Sequence, residues 1–276
     1  MRLSPINYWD LLSGIAGILF ALAFAPFDYS FLASVALCIL FASWQNTSPG
    51  RALLRGYLFG LGAFGLGVSW VYISIHSFGG ANAFSSGLLT SFFFGFWALF
   101  PALAGCVSVK IRQVTPISSM TVMPVVWLLV EYLRGYLVLN GFPWLQVGYA
   151  QLETPLAGYI PVFGIYGAGF VASLTVTLLL SLWQQRNWRV AVVLITLWTI
   201  GAYLKTVQWT QPIGAPIPVA LIQGNISQDQ KWLPDNKINT LGLYKTLTEQ
   251  NWDAKIIVWP ETAIPAYLSE VQEHFL

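Results

Sequence analysis

A chain of 276 residues with 56% hydrophobic, 16% aromatic and only 9% charged residues departs from soluble domains, in which about 25% of residues are charged. The net charge of +2 and the lack of a basic patch with interleaved aromatics exclude a nucleic-acid binder. Cys38 and Cys106 both fall in apolar runs, where a desolvated thiol is a packing residue, and no CxxC or Cys/His cluster points to a metal, a redox centre or a cofactor.

Charge is unevenly spread: residues 1–210 hold 13 charged side chains and the last 66 hold 11. No charge interrupts 56–109, 113–130, 154–185 or 190–204, and an apolar stretch of about 20 residues is what a hydrocarbon core of about 30 Å requires. Residues 1–210 therefore read as a membrane domain of about seven transmembrane helices, at 10–27, 30–45, 53–75, 84–109, 118–138, 160–183 and 189–207. The second is short enough to be re-entrant instead. Arg2, the apolar stretch from Leu11 and "ALA" at 21–23 imitate a signal peptide. The stretch runs on to Phe27, so it reads as a retained first span.

The connecting loops alternate in charge. Arg2, Arg51, Arg55, Lys110, Arg112, Arg186 and Arg189 fall on one side, while the other holds Asp28, the uncharged 76–84 segment, Glu131, Arg134, Glu153 and Lys205. The positive-inside rule puts the N-terminus in the cytoplasm and residues after 210 on the outer face. Within the third span Gly56, Gly60, Ala63 and Gly67 share a helical face, which lets another helix approach closely. Trp44, Trp70, Trp97, Trp144, Trp183, Trp188 and Trp209 lie near span ends, as an aromatic belt would. Glu131 and Arg134, three apart, are placed to pair at the outer end of span five; His76 falls in an outer loop.

From 211 onward the pattern changes. Val219 to Gln223 reads as a buried strand after "APIP", and "KIIVWP" at 255–260 as a second. Between them Ile238, Leu241, Tyr244 and Leu247 recur every three residues, predicting a helix with Asp235 or Asn236 as N-cap. Strand, helix and strand with continuous apolar strands predict a parallel pair in an α/β layer. About 60 residues cannot cover both faces of such a sheet, so 211–276 reads as the first part of an incomplete domain. Glu261 follows the second strand directly. A strand-end glutamate is usually a solvated loop residue, and no Ser/His/Asp or Cys/His arrangement surrounds it.

Four stretches carry a resemblance: "SWVYISIHSFGG" (69–80), "EYLRGYLVLNGFPWLQVGYAQ" (131–151), "LIQGNISQDQKW" (221–232) and "IIVWPETAIP" (256–265). Together, in order along the whole chain, they resemble the bacterial apolipoprotein N-acyltransferases. The resemblance implies a multi-span α-helical bundle in the bacterial inner membrane joined to a periplasmic domain of nitrilase-like αββα fold. It implies a Glu, Lys and Cys triad in which the Cys takes an acyl chain from a phospholipid as a thioester. The amine of an apolipoprotein's N-terminal diacylglyceryl-cysteine then attacks that thioester.

Carried over by motif, Glu261 is the general base, taking the thiol proton and later the amine proton; partial burial beside Trp259 and Pro260 would raise its pKa to suit. Trp232 and the Phe142, Pro143, Trp144 run match motifs near where lipid enters the site, against the plainer reading of packing or interface anchoring. The expected partners are a phospholipid donor, an apolipoprotein acceptor and the bilayer, with no nucleic acid and a monomeric chain. The Lys and Cys of the triad would lie after the glutamate motif, so the chain is expected to be truncated and inactive alone. The competing readings are an inert membrane fragment of that family and a small-solute transporter, the latter disfavoured by the lack of midplane carboxylates.

Overall fold

In the computed structural model, which describes residues 6–271, the apolar runs form helices, the only open-chain structure that satisfies its own backbone in hydrocarbon. Arg2, counted above among the basic residues, lies outside the described residues. The chain divides into two compact units, one up to Trp209 and one from Thr210.

In the first unit α1 spans Tyr8–Ala21, started by a capping box in which Asn7 and Asp10 exchange hydrogen bonds with each other's backbone. Next come α2, Phe31–Ser43, and α3, Pro49–Gly67, the latter capped by Ser48 with Pro49 in its first turn. A 60° bend separates α3 from α4, Val71–Ile73, which winds on as a π-helical turn through Phe78. Helices α5, Ala83–Trp97, and α6, Leu99–Val114, run on as one apolar segment of 32 residues. Then follow α7, Ser119–Tyr132, prolonged by turns to Asn140, α8, Ile160–Gln185, and α9, Trp188–Thr206.

Each of the seven expected spans holds a helical segment, but the segments are unequal. Among the described residues four are long and apolar enough to cross a membrane, Ala83–Val114, Ser119–Asn140, Pro155–Gln185 and Trp188–Thr206, and the bent α3–α4 pair makes up to five. With 14 and 13 residues, α1 and α2 reach only about 20 Å at about 1.5 Å per residue, short of a core of about 30 Å. The reason is local: the expected first span ran to Phe27, but the chain leaves the helix after Ala21 and turns through Pro26.

The small-residue face of α3 does what its pattern predicts. A Cβ on Gly56 would overlap the Pro101 backbone of α6, and one on Gly60 would overlap Ala98 just ahead of α6. On the α1 side, Gly17 packs against the backbone of Phe59 and Ala63. Helices this close gain dispersion along their whole contact, which drives association where no hydrophobic effect operates. Phe41, Trp44, Phe59 and Trp127 form an aromatic cluster at the centre, with ring centroids 5.3–6.4 Å apart. Trp44 and Trp97, expected in the interfacial belt, are instead core residues at 0% and 3% exposure. Trp183 and Trp188 are exposed, as belt residues would be.

The second unit is a β–α–β turn of chain. β1, Val219–Leu221, pairs in parallel with β2, Ile256–Val258, in the register Val219↔Ile256, Ala220↔Ile257 and Leu221↔Val258. The short α10, Gln228–Lys231, and the longer α11, Lys237–Glu249, form the crossover, and α12, Leu268–Val271, follows β2. Two expectations fail here. The strands were expected buried, yet only Ala220, Ile222 and Ile257 face the small core around Tyr244 and Ala263; Val219, Leu221, Ile256 and Val258 are exposed. Continuous apolar strands predict two covered faces, and within this unit α11 covers one.

The helix face is also not the expected one. Steps of three residues drift, at about 100° per residue, by about 60° each, so Ile238 and Leu247 point oppositely. Thr240, Tyr244 and Leu247 face inward while Ile238 is exposed. Asn236 is the N-cap residue, but its side chain makes no capping bond.

Candidate functional site

Six basic residues, Arg51, Arg55, Lys110, Arg112, Arg186 and Arg189, lie at or near the bundle end where α2, α6 and α8 finish and α3 and α9 start. At the other end the loop from 141 to 154 carries Phe142, Pro143 and Trp144. That loop is held by two buried charges of the extended α7. Glu131, 5% exposed, accepts a hydrogen bond from the Val147 amide at 2.9 Å. Arg134, 3% exposed, donates to the carbonyls of Phe142 at 2.8 Å and Trp144 at 2.5 Å. Its guanidinium also lies over the Phe64 ring at 5.2 Å.

The expected Glu131–Arg134 ion pair is thus corrected: among the described residues no ion pair joins them. Each spends its hydrogen bonds on the loop, because an irregular segment inside a bundle must have its backbone satisfied by protein.

The braced loop displays aromatic rings. Phe142 stacks on Trp97, with centroids 4.8 Å apart, and on Trp144 at 5.8 Å. Trp144 in turn leans on Trp70 at 5.5 Å and remains half exposed. Pro143, Trp144, Tyr149, Phe24, Asp28 and Glu153 line a cleft of about 550 Å³. Apolar walls with a few polar groups at the rim suit a lipid-like ligand. His76 sits in the π-turn with Nδ1 2.8 Å from the Ala81 carbonyl and its ring 5.4 Å from Tyr72.

In the second unit Glu261 follows β2 by way of Trp259 and Pro260, in a turn where the Ala263 amide donates to the Pro260 carbonyl at 3.2 Å. Trp259 fixes this strand end against α11: its indole donates to Thr248 at 2.9 Å and its ring packs 5.5 Å from Tyr244. Glu261 is exposed, so the partial burial expected from Trp259 and Pro260 is not provided within this unit. Lys231 Nζ donates to the Glu261 carbonyl at 3.3 Å. This brings the "QDQKW" and "WPET" stretches together, with Trp232 next in sequence and 58% exposed. Phe142, Pro143 and Trp144 belong to the first unit, Trp232 and Glu261 to the second.

Sequence reasoning missed one cluster entirely. Asp10, fully buried, accepts from Arg51 Nε and Arg55 Nε, each at 3.0 Å. Arg51 makes a second contact to the same carboxylate, and Arg55 also donates to the Ser43 carbonyl. The signal was the i, i+4 spacing of two arginines opening an apolar helix, together with one acid in the first. Read as loop charges, Arg51 and Arg55 are in fact 5% exposed each and tie α1, α2 and α3 together. Cys38 and Cys106 are free thiols, partly buried in α2 and α6. Among the described residues no group of three or more His, Cys, Asp or Glu side chains is placed to hold a metal ion.

Comparison with known proteins covers almost the whole chain. The family model described as the apolipoprotein N-acyltransferase N-terminal domain matches residues 16–178. The apolipoprotein N-acyltransferase of Methylococcus capsulatus is 46% identical over 270 residues, which is 96% of this chain and 53% of that protein. Those of Pseudomonas syringae pv. tomato and Coxiella burnetii are each 40% identical, over 97% and 95% of this chain and 54% and 55% of their own length. The chain spans about half the length of the curated relatives it matches.

Proposed function

The chain belongs to the apolipoprotein N-acyltransferase family, and on that premise we propose that it serves the transfer of an acyl chain from a phospholipid to the N-terminal amine of a diacylglyceryl-cysteine lipoprotein. It is a multi-pass membrane protein. In this reading its first unit sits in the bacterial inner membrane with the basic end cytoplasmic. The second unit is then periplasmic, as the opening of a nitrilase-like domain, in a monomeric chain.

Glu261 is the general base. It takes the proton from a cysteine thiol as the thiolate attacks the phospholipid ester, then gives it to the departing oxygen, releasing lysophospholipid and leaving a thioester. It next takes the proton of the attacking amine and returns it to the sulfur as the adduct collapses, freeing the thiol. Neither Cys38 nor Cys106, each within a bundle helix, is assigned the nucleophile. A base presented at a strand end and open to solvent can meet both a thiol and an incoming amine in turn. Trp144 and Phe142, with Pro143 beside them, offer the apolar wall against which the donor's chains would lie, and Trp232, in the second unit, is a substrate contact by its motif.

The observation that carries this reading is the similarity to named N-acyltransferases along 96% of the chain, which takes in the glutamate motif. The test is acyl transfer from labelled phospholipid to a diacylglyceryl peptide, in membranes bearing the protein expressed from its own gene. Glu261→Gln should lower the rate by about 10²–10⁴-fold, the contribution of a positioned base. A wild-type rate in that variant removes Glu261 from the mechanism.

A further inference from the structure

At the basic end of the bundle, away from the aromatic loop, a second cleft of about 170 Å³ opens among the ends of α2, α6, α7 and α8. Arg112, near the end of α6, contributes a guanidinium that donates to the Trp44 carbonyl at 3.4 Å. Among the described residues it has no carboxylate partner. Arg51 and Arg55 close by are both paired with Asp10.

The first turn of α7 enters the same cleft through Ser118, Ser119 and Met120. A helix start presents unpaired amides and the positive end of the peptide dipole. Ser118 caps Met120 and leaves the amide of Ser119 free of that bond. Across the cleft stands Ser181 of α8, 4% exposed, its hydroxyl buried with no hydrogen-bond partner. A helical serine can satisfy its hydroxyl on the preceding turn, as Ser13 does on Trp9 and Thr177 on Leu174. Ser181 does not, so among the described residues its hydroxyl has no protein partner, at the wall of a polar cleft. No carboxylate lines this cleft.

We propose that this cleft binds an anionic phosphate group, carried by a membrane phospholipid or free in solution. Arg112 supplies the charge, the start of α7 the amides and Ser181 the hydroxyl, a donor set that complements phosphate oxygens. Met120, Met123 and Leu180 give the apolar wall that the glycerol end of a phospholipid would require. The site is separate from the aromatic loop and does not depend on the acyl-transfer reading.

Native mass spectrometry of the purified protein in detergent tests it, with phosphatidylglycerol, a diacylglycerol of the same chains and inorganic phosphate as separate probes. One phosphatidylglycerol should bind saturably and at least about tenfold tighter than diacylglycerol. Arg112→Gln should weaken it about tenfold, the scale of one charge-assisted contact, while Lys110→Gln, exposed beside it, should not. If Arg112→Gln does not keep wild-type helicity and melting, Ser181→Ala, which removes the hydroxyl alone, must lower binding instead. Binding of the lipid without competition from phosphate identifies a headgroup site. Binding of phosphate alone, with the same dependence on Arg112, identifies a free-anion site. Equal affinity for diacylglycerol, equal loss in Lys110→Gln, or no binding of either phosphate probe overturns the proposal.

Discussion

The two units use charge in opposite ways. In the bundle Asp10, Arg51, Arg55, Glu131 and Arg134 are each at most 5% exposed, and every one is tied to a helix end or a loop carbonyl or amide. In the β–α–β unit the ion pairs lie in water: Lys237–Glu270 with side chains 31% and 46% exposed, Lys245–Glu249 with 66% and 62%. The difference follows from the surroundings. A bundle in hydrocarbon cannot recruit water to an irregular backbone, so it recruits ionised side chains, whose hydrogen bonds are the strong ones. A small solvated unit has water for that purpose, and its charges, Glu261 among them, stay open to incoming groups.

The contrast breaks most severely at Asp10. Asp10→Asn leaves two guanidiniums buried without their anion, and removing one partner of a buried ion cluster costs about 3–5 kcal/mol. A large fall in the thermal midpoint of the detergent-solubilised protein is expected. An unchanged midpoint would mean that water reaches this cluster and that the bundle's charges behave like those of the other unit. A smaller effect is expected at the other end. Arg134→Lys keeps the charge but loses the planar fork that serves two carbonyls, leaving one of them short of a donor at about 1–3 kcal/mol. Its signature is local: faster amide exchange at Val147 and a shift in Trp144 emission. Loss of midpoint without either change would show that Arg134 supports the bundle and not the loop.

Much of the bundle could be read from the chain, and the reasons are particular. Charge-free runs located the four long spans because hydrocarbon tolerates little else, and the Gly56–Gly60 face told of close helix contact because sterics allow few alternatives. The Asp10 cluster left only a weak signal, two arginines at i, i+4 and an acid in the first helix: the partners are 41 and 45 residues apart, and an arginine near a helix start looks the same whether it faces water or an acid. Likewise Glu131 and Arg134 at i, i+3 look like each other's partners. What decides otherwise is the fold of the 141–147 segment, whose backbone takes both. In the second unit the strands and their parallel pairing were evident, but the exposure of Val219, Leu221, Ile256 and Val258 depends on what packs against that face. A strand's own residues do not state that. Glu261 was found by motif alone, since exposure and a turn after β2 describe many glutamates.

The smallest expected effect tests the solvated side of the comparison. Glu270 accepts from Lys237 Nζ at 2.6 Å and from the Tyr267 amide at 3.1 Å, and the lysine's hydrogen bond above all holds its carboxyl below the ordinary glutamate range. A carboxylate whose pKa falls on folding adds stability above its unfolded pKa and loses it as pH drops through the folded value. This contact should therefore fade only in acid, below the usual titration of glutamate. Being exposed, it should also fade with salt at any pH, because a Debye length of about 8 Å at physiological ionic strength screens surface pairs. Lys237→Met should return the Glu270 titration, followed by carbon-detected NMR, towards the ordinary range with no measurable change in the melting of the bundle. A change in bundle melting of the size expected for Asp10→Asn would mean that this surface pair is coupled to the membrane unit, and the division between structural and solvated charge would not hold.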